Sequence, residues 1–160
     1  MKVKELMTSE VKCCADYNTL NTAAQAMWEH DIGCVPVVDK EDRVIGMLTD
    51  RDICMSAYIQ GVALTGALVT SAMSKEVFSC TPEDDIAAAE KLMKEKQIHR
   101  LLVLDAKGHP AGVISLNDIA LEAAREAEMK KARQVSDTEI AQILASVCAP
   151  RHSVIQAQAA

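Results

Sequence analysis

The sequence predicts an α/β fold in which one small unit, running strand, helix, strand, strand, helix, is used twice, the two copies packing as a pseudo-twofold pair with a helical extension at the C-terminal end. Three observations carry that expectation. The chain aligns with itself, each half carries the same order of helical and extended patterns, and a Gly-to-Asp motif recurs at matching positions.

Shifting the chain by 66 positions, without a gap, sets Val3 on Val69, Met7 on Met73, Glu10 on Glu76, Val11 on Val77 and Cys14 on Cys80. The match continues through Ala23 and Ala89, Met27 and Met93, Ile32 and Ile98, Val37 and Val103, and Asp39 and Asp105. It ends with Gly46 on Gly112, Asp52 on Asp118 and Ile53 on Ile119. The boundaries that follow are 1–60 for the first repeat, 61–70 for a connector, 71–125 for the second repeat and 126–160 for the extension and tail.

Each repeat opens with an extended segment, Val11 to Cys14 and Val77 to Cys80. A helix follows. Leu20, Ala23, Ala24 and Met27 recur at helical spacing on one face, as do Ile86, Ala89 and Met93, and both faces are expected to be buried. In the second repeat, Thr81, Pro82 and Asp84 read as the helix start: a capping hydroxyl, a proline suited to the first turn, and an acid that complements the dipole.

Two β-rich runs come next, Cys34 to Val38 and Arg43 to Leu48, joined by a polar turn at Asp39 to Asp42. Leu101 to Leu104 and Ala111 to Ile114 repeat the hairpin, with Gly108 in the turn. A second helix opens at Thr49 and again at Ser115. A unit of roughly 50 residues has too small a core to stand alone comfortably, so the two are expected to pack together. Beyond Asp118 the helix is expected to run through Ala120, Ala123 and Ala127 toward Lys131, and Ser136 with Glu139 reads as a capping box for a last helix holding Ile140, Ile143, Leu144 and Val147. The segment His152 to Ala160 reads as a frayed end.

Composition limits the function. Hydrophobic residues make up 49% and charged residues 25%, the balance of a folded globular chain, and a net charge of −6 opposes general binding to polyanions such as nucleic acid. No apolar run is long enough for a bilayer, and Met1 to Met7 lacks the apolar stretch of a signal peptide, so a cytoplasmic chain without membrane contact is expected. The six cysteines, Cys13, Cys14, Cys34, Cys54, Cys80 and Cys148, form no CxxC pair, and buried thiols are expected rather than a metal or redox site. Aromatics are only 2%, Tyr17, Trp28, Tyr58 and Phe78, too few for a stacking platform, and Trp28 reads as a core or interface residue. No nucleophile and base, Gly-rich Lys loop or metal set is evident, so no catalytic residue is assigned and the chain is not expected to be an enzyme.

The most informative stretch is Gly46-Met47-Leu48-Thr49-Asp50-Arg51-Asp52 set against Gly112-Val113-Ile114-Ser115-Leu116-Asn117-Asp118. A hydroxyl residue followed three positions later by an acid caps a helix with no ligand involved. The same chemistry also suits a nucleoside phosphate: glycine permits close backbone approach, the helix start offers free N–H groups, and an acid one turn on can accept ribose hydroxyls.

With these motifs in hand, the sequence resembles a tandem pair of CBS domains over about residues 3–122, on the Val11 and Val77 segments, Ile32-Gly33-Cys34-Val35-Pro36-Val37-Val38-Asp39, Ile98-His99-Arg100-Leu101-Leu102-Val103-Leu104-Asp105, and the two Gly-to-Asp motifs. The resemblance implies two clefts between the repeats that hold AMP, ADP or ATP, with no other cofactor required. It assigns Thr49 and Ser115 to phosphate and Asp52 and Asp118 to ribose, with residues 32–36 and 98–102, including Cys34, Pro36, Ile98 and Leu102, lining the pockets.

Arg100 is the leading phosphate cation, because its guanidinium can engage paired oxygens, and His99 stands beside it. The first repeat departs from this, since Gly33 and Cys34 occupy those positions and Arg51 is the only substitute nearby. The second repeat's cleft is therefore the expected site. Pro36, which cannot donate to a sheet, is expected at an edge or facing the cleft. The resemblance further implies a homodimer acting on an unknown regulated protein. Two other readings stay open: an interaction module with empty clefts, and a binder of another ligand such as S-adenosylmethionine, a dinucleotide or nucleic acid, the last disfavoured by net charge.

Overall fold

In the computed structural model, residues 1–128 and 136–148 are described. The first repeat comprises β1 (Cys14–Ala15), α1 (Leu20–Glu29), β2 (Cys34–Val38), β3 (Val44–Thr49) and α2 (Asp50–Gln60). The second comprises β4 (Ser79–Cys80), α3 (Ile86–Lys96), β5 (Arg100–Leu104), β6 (Pro110–Ser115) and α4 (Leu116–Glu128), followed by α5 (Asp137–Val147). This is the predicted α/β architecture. Each repeat forms a three-stranded sheet, ordered β1-β2-β3 and β4-β5-β6, with a parallel first pair and an antiparallel hairpin.

The register repeats as faithfully as the sequence does. Cys14 pairs with Val37 and Cys80 with Val103; Val37 pairs with Gly46 and Val103 with Gly112. Both hairpins shift register at the same place, between Val37 and Val38 and between Val103 and Leu104. At both turns an aspartate gathers the chain: Asp39 accepts from the N–H groups of Glu41 and Arg43, and Asp105 from those of Lys107 and His109. The His109 N–H foremost holds the Asp105 carboxyl below its ordinary value.

The apolar helix faces are buried as their spacing predicts. Leu20, Ala23 and Met27 join Val35, Val37, Leu48 and Ile53 in one core, while Ile86, Ala89 and Met93 join Leu101, Val103, Ile114 and Ile119 in a second. Thr19 caps α1 by accepting from the Thr22 N–H. The helix in the second repeat starts later than expected. Thr81, Pro82 and Asp84 do not open it: the Thr81 N–H is held by the Asp84 carboxylate in a turn, and α3 begins at Ile86 after Asp85, whose side chain makes no capping bond.

The reason lies in the other repeat. The Ile86 N–H donates to the Met1 carbonyl, and the Val3 and Lys4 N–H groups donate to the carbonyls of Asp84 and Pro82. The N-terminal arm thus docks on the start of α3 and buries Val3 completely in the second repeat's core. The stretch after α2 does the reverse: the Leu20 N–H donates to Ala67, the Val69 N–H to Asn18, and Val69 is buried in the first repeat's core. Two more reciprocal bridges, Thr8 with Val113 and Ser74 with Met47, add one residue of each arm to the other repeat's sheet. The two halves are therefore laced together by crossed arms.

This crossing reassigns the motif glycines. Gly46 and Gly112 lie within β3 and β6 rather than at their ends, and a Cβ there would sit 2.5 Å from Met73 Sδ or 2.6 Å from Met7 Sδ, and close to the Ser74 or Thr8 carbonyl oxygen. The close backbone approach is made by the partner arm, not by a ligand.

The extension closes one side. Ile143 and Val147 of α5 are buried against the second core, and Gln97 donates to the Ser146 carbonyl. Ser136 directly precedes α5, and its carbonyl accepts from Ile140. The Glu139 side chain, the continuation toward Lys131 and the segment His152 to Ala160 lie outside the described residues.

Candidate functional site

A cavity of about 280 Å³ opens where the repeats meet. Thr8, Glu10, Val11 and Lys12 of the N-terminal arm form one wall, Asp31 to Cys34 with Pro36 a second, and Arg100, Val113, Ser115, Asn117 and Asp118 the third. Of the residues singled out from sequence, the fold brings five together here: Cys34, Pro36, Arg100, Ser115 and Asp118. Thr49, Arg51, Asp52, His99, Ile98 and Leu102 do not line this cavity; Thr49, Arg51 and Asp52 occupy in the first repeat the places that Ser115, Asn117 and Asp118 hold in the second. Leu102 is wholly buried and Ile98 packs on the second core, so neither presents a ligand surface here.

Both motifs form capping boxes. The Thr49 hydroxyl accepts from the Asp52 N–H at 3.1 Å and donates to Asp52 Oδ2 at 2.7 Å, while the Thr49 N–H donates to the same oxygen at 2.9 Å. Ser115 and Asp118 repeat the pattern, with 2.7 Å between Ser115 Oγ and Asp118 Oδ2 and 2.8 Å from the Ser115 N–H. Each box occupies one carboxylate oxygen; among the described residues no hydrogen bond reaches Oδ1 of Asp52 or Asp118. Capping and ligand binding are thus compatible, because one oxygen serves the helix and the other stays open to accept.

Arg100 extends from β5 across the junction and donates through Nη1 to Cys34 Sγ at 3.2 Å. Its guanidinium also lies over Gly33, where a side chain would meet it at 3.7 Å. Arg51 is exposed on the first turn of α2, and the exposed His99 gives its carbonyl to the Leu116 N–H. Pro36 is not on an edge: β2 is the central strand of its sheet, and the proline is tolerated because β1 begins only at Cys14. In the second repeat the Leu102 N–H donates to the Phe78 carbonyl; Pro36 has no N–H to offer the corresponding carbonyl of Lys12, and both residues face the cleft.

Sequence reasoning missed Thr8, Glu10 and Lys12, because the arm reaches this cleft only through its pairing with β6 of the other repeat, and it missed Asn117, which stands inside the second motif just before its acid. A second hollow, about 370 Å³, lies between α1 and α2 and shares Asp31, Ile32 and Gly33 with the first. Trp28 lines it while being 89% exposed, which removes the core reading of that residue.

The cysteines divide. Cys14, Cys34 and Cys80 are buried, Cys13 is half-buried, and Cys54 and Cys148 are exposed. Burial pushes the Cys13 and Cys80 thiols up to about 11, so both stay protonated near neutral pH. Among the described residues no group of three or more His, Cys, Asp or Glu is placed to hold a metal ion, and no helix is long and apolar enough to cross a membrane.

Two βαββα units, exchanged arms and a cleft edged by a Ser-to-Asp capping box define a tandem pair of structural repeats. The CBS domain model matches residues 3–57 and 69–125, and the chain belongs to that family. It is similar to the CBS domain-containing protein YhcV of Bacillus subtilis, 36% identical over 120 residues that cover 74% of this chain and 83% of YhcV. It also resembles the crystal structure of Hypoxic Response Protein I with two coordinated zinc ions, at 30% identity and a TM-score of 0.69, covering 76% of this chain and 98% of that one. The CBS domain pair of protein MJ0100, solved with methylthioadenosine and S-adenosyl-L-methionine, shares the fold at 20% identity and a TM-score of 0.68, covering 76% and 98% of the two chains.

Proposed function

We propose that this chain is a regulatory module, not a catalyst, that binds an adenine nucleotide (AMP, ADP or ATP) in the cleft edged by Ser115 and Asp118 and passes its occupancy to a partner protein. The observation that carries the reading is the open Oδ1 of Asp118, held by its capping box on the wall of a cavity that also contains the cations Arg100 and Lys12. Asp118 would accept the ribose hydroxyls through Oδ1, and the Arg100 guanidinium would take phosphate, joined by the Ser115 hydroxyl once its proton turns away from Asp118 Oδ2. The apolar side chains of Val11, Ile32, Pro36 and Val113 offer the base a surface without aromatic stacking, and the Lys12 carbonyl supplies an acceptor for its exocyclic amine.

Two observations favour a second occupant: MJ0100 was solved with adenosyl ligands, and Glu10 and Asp31 line this cleft, where their carboxylates would face a sulfonium. Mass spectrometry of small molecules released from the denatured protein, followed by thermal shift, separates the two. AMP, ADP or ATP is expected to raise the melting temperature with occupancy, since a ligand that binds only the native state stabilises it. No heat and no shift at millimolar nucleotide, with S-adenosylmethionine active instead, would overturn the nucleotide reading.

We also infer a homodimer. Met55, Tyr58 and Ile59 of α2, with Val62 just beyond, recur at helical spacing on the solvent side, and Tyr58 and Ile59 are 82% and 73% exposed. Leu121 of α4 is exposed as well. Light scattering is expected to give twice the chain mass, and Ile59→Lys to return it toward one. A wild-type mass of one chain up to submillimolar concentration would exclude this assembly.

A further inference from the structure

Resting on the nucleotide reading, we propose that Arg100 is a single phosphate cation shared by two clefts, so that a nucleotide in one cleft weakens binding in the other. Residues 34 and 100 hold equivalent positions in the two repeats, and they touch, with Arg100 Nη1 3.2 Å from Cys34 Sγ. A contact between equivalent positions lies on the pseudo-twofold axis. The sheet registers extend it into a row: Arg100 is directly opposite Ser115, and Cys34 directly opposite Thr49. Directly opposed residues of an antiparallel pair project from the same face. The order across the junction is therefore Ser115, Arg100, Cys34, Thr49, with one guanidinium between the two hydroxyls that begin the motifs.

Had both repeats carried arginine here, each cleft would own a cation. Cys34 carries none, so a phosphate beside Ser115 and one beside Thr49 draw on the same group. A guanidinium engaged with the paired oxygens of one phosphate has its donor fork committed and cannot present it to another. The remaining cations differ between clefts: Lys12 lines the Ser115 side, and its equivalent is Phe78, whereas Arg51 stands where that side has Asn117. Unequal clefts alone would give two affinities. Competition for Arg100 adds a dependence of one affinity on the other site's occupancy.

Calorimetric titration with AMP tests this. Wild type is expected to bind in two steps, the second about a hundredfold weaker, about tenfold from the unequal clefts and about tenfold from a coupling of ordinary size for linked sites. The Thr49 cleft of an Asp118 variant therefore still binds about tenfold more weakly than the wild-type first step. In Asp118→Ala, with the Ser115 cleft disabled, the Thr49 cleft is expected to bind AMP about tenfold more tightly than the wild-type second step. In the Arg100→Gln background that gain is expected to vanish. If Asp118→Ala does not fold by circular dichroism, Asp118→Asn keeps an acceptor for the Ser115 N–H and takes its place. A Thr49-cleft affinity that is the same in wild type and in the Asp118 variant overturns the sharing while leaving nucleotide binding intact. Absence of any AMP binding to wild type overturns both.

Discussion

Asp118→Ala is expected to weaken the first step of nucleotide binding by about ten- to a hundredfold, and Asp52→Ala by much less. Loss of a hydrogen bond to a charged group is worth on the order of 1.5 to 3 kcal/mol, which converts to that range of affinity. The asymmetry follows from the cleft that Asp118 edges, with Arg100 and Lys12 on its walls. The two aspartates also cap their helices, so each substitution is expected to lower stability by about 0.5 to 2 kcal/mol whatever the ligand does. Stability and affinity must therefore be read separately, by chemical denaturation without nucleotide and by titration where each variant is folded. Equal affinity for wild type and Asp118→Ala would reject the site. A larger loss in Asp52→Ala would move it to the first repeat's cleft.

Leu101→Ala is expected to lower stability by about 2 to 5 kcal/mol, a large part of the roughly 5 to 15 kcal/mol that holds most domains folded. Leu101 is fully buried at the middle of the second core, where Met93, Val103 and Ile114 surround a side chain that no polar group could replace. The crossed arms make a further demand on the result. Val3 belongs to the second core and Val69 to the first, so neither half retains a complete core if the other opens. Denaturation followed by circular dichroism is therefore expected to show one transition, displaced as a whole by Leu101→Ala and likewise by Leu20→Ala. Two separate transitions, with only the later or the earlier one displaced, would mean that the repeats fold independently.

In the proposed module, occupancy of the cleft has a route to the surface through the same geometry. Asp31, Ile32 and Gly33 line both the cleft edged by Ser115 and the hollow beside exposed Trp28, and the Gly33 carbonyl receives the Asp50 N–H at the start of α2. A ligand that displaced this wall would act on the base of α2, whose apolar stripe faces solvent.

What the sequence determined by itself was local and periodic. Helical spacing marked Leu20, Ala23 and Met27 for burial, the Asp39 to Asp42 turn and Gly108 marked the hairpins, and Thr49 with Asp52 and Ser115 with Asp118 marked two helix starts, because each depends on groups within a few residues. The duplication carried that local reading to the whole fold. Tertiary structure decided the rest. Thr81 and Pro82 carry good helix-start chemistry, yet α3 begins at Ile86 because the Met1 carbonyl, 85 positions away in the numbering, takes its N–H. Gly46 and Gly112 read as room for a ligand and turned out to be room for Met73 and Met7. Lys12 joined the cleft, and Arg100 met Cys34, through pairings between strands and arms of different repeats. Spacing along a chain fixes which face of an element is apolar, but not which distant segment covers it. That choice is made when two incomplete cores find, each in the other's arm, the side chains that fill them.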